Sequence, residues 1–162
     1  MAALEFGGRP ALERTARDQI SLMVLLTLPA AVGLALVAQP LADVLVGEDL
    51  RDGAAAITPW IALSGLMAGL TTYYFHMAFT LGKATRLLLA AMAVPAAANI
   101  ILNLALIPIM GLMGAVAATA ISYGLGLLAS ALIGRRVMAL PIPWDTLIRA
   151  GIARLKARRA VA

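Results

Sequence analysis

The chain has 162 residues, 62% hydrophobic and only 13% charged, with a mean hydropathy of +0.94. Soluble domains are roughly half apolar and a quarter charged, so an ordinary water-soluble domain is excluded and an integral membrane protein is expected. The formal net charge is +5, there is no cysteine, and the single histidine, His76, rules out a multi-histidine metal site within one chain.

Residues 1–19 form a short lead with mixed charge, containing Arg9, Arg14 and Arg17 among Glu5, Glu13 and Asp18. A basic segment, an apolar core and a small-residue cleavage site do not occur in that order, so no secretory signal is expected. Ile20 to Ala38 is the first apolar span, long enough to cross roughly 30 Å of hydrocarbon at about 1.5 Å per residue. Pro29 inside it predicts a kink, accommodated by Thr27 or neighbouring helices. Apolar character continues past Gln39, Pro40 and Asp43 to Gly47, followed by an acidic loop of Glu48, Asp49, Arg51 and Asp52.

The second span runs from about Ile57 to Leu81, with Trp60 near one end and Tyr73, Tyr74 and His76 towards the other, as interfacial aromatics are placed. Gly65 and Gly69 make a GxxxG pair suited to close helix approach. A loop of Gly82, Lys83, Ala84, Thr85 and Arg86 leads into the third span, Leu87 to Ile107, which contains Pro95 and two asparagines, Asn99 and Asn103. Pro108 and Gly111 predict the next turn. The fourth span, about Leu112 to Ile133, carries Gly114, Ala118, Ser122 and Gly126 at four-residue steps, a seam for helix packing. Residues 138–162 read as a basic amphipathic tail. Trp144, Leu147, Ile148, Ile152 and Leu155 lie at helical spacing, with Arg149, Arg154, Lys156, Arg158 and Arg159 mostly elsewhere on the wheel.

Basic residues set the orientation. The lead, the loop with Lys83 and Arg86, and the tail from Arg135 onward hold all Lys and Arg except Arg51. The expected architecture is therefore an all-α bundle of four transmembrane helices over residues 20–137, with both termini cytoplasmic. Membrane topology accounts for these cations, so membrane lipids are expected partners and nucleic acid is not.

Asn99 and Asn103, four positions apart, share one helix face. They either hold helices together by hydrogen bonds or line a hydrated path, where amides offer donors and an acceptor to sugar hydroxyls without a charge. Lys83 and Arg86 are either topology determinants or cationic contacts for a pyrophosphate-type headgroup. Tyr73, Tyr74 and His76 are either interfacial anchors or cavity-lining groups. Pro29 and Pro95 are either hinges or fixed kinks. No carboxylate lies between Ile57 and Ile133, which argues against a drug–cation antiporter. A small four-helix multidrug exporter would need an acid in its first span, and Ile20 to Ala38 has none. Ser64, Ser122 and Ser130 are expected to have no His or Asp beside them, so enzyme chemistry is not expected, nor any cofactor.

The string LPAAVGLALVAQPLADVLVGEDL, the LGKATRLLL loop, NIILNLALIPIMGLMGAVAATAISY and RRVMALPIPW occur in an order that resembles the C-terminal part of polysaccharide flippases of the multidrug/oligosaccharidyl-lipid/polysaccharide exporter superfamily. The more specific element is Asn99, Asn103, Pro108, Gly111, Gly114 and Ala115, read as N-x3-N-x4-P-x2-G-x2-GA. The resemblance implies a bacterial cytoplasmic (inner) membrane protein and a substrate of undecaprenyl-diphosphate-linked oligosaccharide, as in lipopolysaccharide O-antigen or exopolysaccharide synthesis. It also implies two rocking bundles, so the missing helices are expected from a partner chain or from self-association. The alternative expectation is a non-transporting fragment or assembly subunit of a glycan-export machine.

Overall fold

In a computed structural model, which describes residues 2–138, every regular element is helical and no strand is present among the described residues. Two compact units result. In one, the described backbone is the first part of helix α1 (Ala2–Leu36), interrupted at Gly8, whose φ of 63° lies in the left-handed region. The other, Leu26–Ala139, contains the remaining elements. These are α2 (Ala38–Leu45), a 3-10 turn (Glu48–Leu50), α3 (Arg51–Leu70), a π turn (Thr71–Phe75), α4 (His76–Leu81), α5 (Thr85–Met110) and α6 (Leu112–Val137).

Four stretches among the described residues are long and apolar enough to cross a bilayer: Asp18–Leu36, Glu48–Leu81, Thr85–Met110 and Leu112–Val137. The protein is thus an all-α, multi-pass membrane protein. At about 1.5 Å per residue, α5 and α6 each reach about 39 Å, which exceeds the hydrocarbon and leaves room for tilt.

Several element boundaries depart from expectation. The backbone stays helical through Pro29, and the break comes at Val37 (φ −96°, ψ 12°) instead. Pro40 explains this, because its ring crowds the carbonyl four residues earlier, at Leu36, and offers it no N–H. The helix that carries the second span begins before Ile57, since α3 starts at Arg51 and contains Pro59. The loop after it is only Gly82 to Ala84, and Thr85 and Arg86 already belong to α5. Pro108 is not the turn. It lies inside α5, and the reversal is made at Gly111 alone, with φ 57° and ψ −132°. In a bilayer a proline costs the helix one bond without ending it, provided neighbouring groups cover the freed carbonyl.

Helix α6 is the centre of the unit Leu26–Ala139. It packs along α5, its antiparallel neighbour across Gly111, and along α3 and α4 on another side. About 33% of its apolar stretch is buried, against 11% or less in the other three spans. The seam of Gly114, Ala118, Ser122 and Gly126 is buried and continues at the same spacing through Ser130 and Gly134. Three of its glycines explain the close approach. A Cβ on Gly114 would collide with the backbone carbonyl of Leu106, and one on Gly126 would lie 2.9 Å from the Pro95 ring. Gly134 lies against Ala78 and Phe79. Gly65, by contrast, faces open space, so its side of the GxxxG pair makes no close contact within this chain among the described residues.

Gly82 lies against Val137, so the Lys83 loop and the end of α6 share one end of the unit. Lys83, Arg86, Arg135 and Arg136 are therefore grouped there and exposed, while Glu48, Asp49 and Asp52 belong to the opposite end of α3. Arg51 is tied down locally: its Nε donates to the Val46 carbonyl at 3.2 Å, and its guanidinium stands 3.9 Å from Glu48. Asp43 is exposed and accepts a bond from Gln39 at 3.1 Å. The tail with Trp144 and its basic face lies outside the described residues.

Candidate functional site

Hydroxyls in an apolar bundle need partners, and most here find one on their own helix. Thr58, Ser64, Thr71, Thr119 and Ser122 each donate to the carbonyl four residues earlier, at 2.6–2.9 Å. Two polar constellations break that pattern.

The first is the pair of asparagines on α5. The Asn103 side-chain amide donates to both the backbone carbonyl of Asn99 (2.8 Å) and its Oδ1 (2.9 Å). Asn99 Nδ2 then reaches across to Thr119 Oγ1 on α6 at 3.5 Å, long for such a bond. Both asparagines are half-buried. They therefore share a face, as the spacing predicts, and they join α5 to α6 through Thr119, a residue the sequence did not single out. Thr119 also lines an open cavity of about 200 Å³ with Ser64 and Ile61 of α3. Asn103 Oδ1 has no donor among the described residues, so this line keeps acceptor capacity beyond its internal bonds.

The second lies near the basic end. Here the imidazole of His76 stands 3.3 Å from the hydroxyl of Ser130, which is fully buried on α6. This overturns the expectation that no histidine lies beside a membrane serine. The residues are 54 positions apart, and only the packing of α4 on α6 brings them together. Tyr74 is another departure: it is fully buried, with its ring edge-on to Phe75, and so is no interfacial anchor. Tyr73, its neighbour, is 66% exposed. Both lie in the π turn, on different faces of it. It adds one residue to the turn, so His76 N–H bonds to the Thr71 carbonyl five residues back, and side chains beyond it point where an unbroken helix would not aim them.

His76, Thr71, Thr72, Tyr123 and Met92 line a half-open cavity of about 150 Å³ with Pro95 and Gly126 at its back. No carboxylate lies on it, so the serine–histidine pair lacks an acidic orienter. No group of three His, Cys, Asp or Glu that could hold a metal occurs among the described residues. Lys83 and Arg86 reach neither cavity and stay at the exposed basic end. No family model, no curated protein and no solved structure matches this chain.

Proposed function

We propose that this protein supplies helices of a flippase moving undecaprenyl-diphosphate-linked oligosaccharide across a bacterial inner membrane. The observation that carries the reading is the Asn99–Asn103–Thr119 line, an uncharged polar strip with spare acceptor capacity between two largely apolar helices. Such a strip suits sugar hydroxyls, while a polyprenyl tail stays in lipid. The sequence pattern N-x3-N-x4-P-x2-G-x2-GA, which resembles polysaccharide flippases, supports the same reading. The basic end supports it too, because Lys83 and Arg86 offer charge-assisted bonds to a diphosphate. In this reading both termini face the cytoplasm, and partner helices or further copies complete the cavity.

The test is leaflet translocation of an undecaprenyl-diphosphate oligosaccharide in proteoliposomes. Replacing Asn99 and Asn103 together by leucine, at equal protein level, is expected to reduce transport at least tenfold. Unchanged transport removes the asparagines from the path. One observation favours a second reading, as a non-transporting assembly subunit: the open face at Gly65 leaves a close-approach site for a helix of another chain. No translocation by any assembly containing the chain, together with a defined stoichiometric complex in detergent, would establish that alternative.

A further inference from the structure

The His76–Ser130 pair takes no part in the glycan reading, yet its geometry is specific. We propose that His76, held by the Ser130 hydroxyl, is a proton-binding site that loads and releases one proton through the cavity in front of it.

Ser130 is the reason the pair suits a proton. A hydroxyl both donates and accepts. It donates to Nε2 when the imidazole is neutral with its proton on Nδ1, and accepts from Nε2–H when the ring is protonated. His76 therefore changes charge without losing its partner on α6, whichever ring nitrogen carries the proton of the neutral form, a freedom that neither a carbonyl nor an ammonium partner allows. The other buried hydroxyl on this seam, Ser122, is spent on the Ala118 carbonyl at 2.6 Å, whereas Ser130 reaches across to α4.

Backbone and access point the same way. The π turn immediately before His76 sets the direction of its ring, and π turns recur at functional sites. His76 also lines the half-open cavity, whose other polar walls are Thr71, Thr72 and Tyr123. His76 is five residues from the end of α4, about 8 Å along the axis. The cavity-lining His76 is therefore close, along its helix, to the basic end.

The charges around the ring define the site. From α6 the cavity receives the titratable Tyr123, and from α5 only Ala91, Met92 and Pro95, none of them ionisable. On its own strand of helix the titratable neighbours are Tyr73 and Tyr74. The formal charges nearest along the chain are Lys83 and Arg86 for His76, and Arg135 and Arg136 for Ser130, all positive. A bound proton thus has no counter-anion in the cavity, and the Ser130 hydroxyl is the hydrogen-bond partner the ring has on α6.

The single histidine makes the test clean. The full chain, carrying isotope-labelled histidine in lipid nanodiscs, gives one set of imidazole signals to follow between about pH 4.5 and about pH 9, a range spanning ordinary histidine titration. The expected result is one single-proton step from the neutral to the imidazolium pattern. Ser130→Ala is expected to move its midpoint by about half a pH unit or more, with Ser130→Thr restoring it and Ser122→Ala leaving it in place. Signals that do not change across the range overturn the proposal, as does a titration that Ser130→Ala leaves unaltered. No substrate enters the measurement, so its outcome is independent of the glycan reading.

Discussion

At the scale of single residues, the α6 seam works by what it lacks. Gly114 and Gly126 are the positions where a methyl group has nowhere to go: the first meets the Leu106 backbone, the second the Pro95 ring. Overpacking of this kind costs about 1–3 kcal/mol, and backbone at Gly114 cannot move aside as a flexible side chain would. Thermal unfolding in detergent is therefore expected to show Gly114→Ala and Gly126→Ala destabilised by that order. Gly65→Ala, in open space, should stay within about 0.5 kcal/mol. Equal losses at all three positions would refute the packing account. The four-residue spacing of the seam was visible in the sequence. That Gly65 makes no such contact was not, because a GxxxG pair states that a close approach is possible without naming a neighbour.

At the scale of elements, the irregular backbone segments matter more than the regular ones. Gly111 makes the whole α5–α6 reversal with a positive φ, and no atom crowds it. Gly111→Ala therefore isolates backbone strain from packing, and its expected cost is about 1–3 kcal/mol. That loss would be read as a lower unfolding temperature with unchanged helix content. A neutral Gly111→Ala would mean that the hairpin turns some other way. Pro108 lay close to this turn in sequence and looked like part of it, but proline ends helices mainly where water can take over the freed carbonyl. The π turn was not legible in the sequence: Thr71 to Phe75 is a run of weak helix formers, which does not specify a widened turn. Its consequence lies beyond it: the extra residue shifts the facing of the side chains that follow, His76 among them, and His76 meets Ser130 of α6.

On the scale of the whole molecule, the contact of Gly82 with Val137 gathers Lys83, Arg86, Arg135 and Arg136 at one end. The absence of cysteine permits a direct check. Single cysteines at Lys83 and Arg136 are expected to react with an impermeant thiol reagent from the same side of sealed vesicles, and one at Asp49 from the other. Opposite labelling of Lys83 and Arg136 would dismantle the bundle described above. The sequence alone determined the membrane character, the number of spans and the grouping of positive charge, because hydropathy and loop charge act locally and add along the chain. It also placed Asn99 and Asn103 on one face, since helical periodicity is a property of a single element. Tertiary structure decided what those faces meet: Thr119 opposite the asparagines, Pro95 in the notch of Gly126, and Ser130 beside His76. These are contacts between helices, set by packing and by one extra residue in a turn, and no local pattern encodes the partner across the gap.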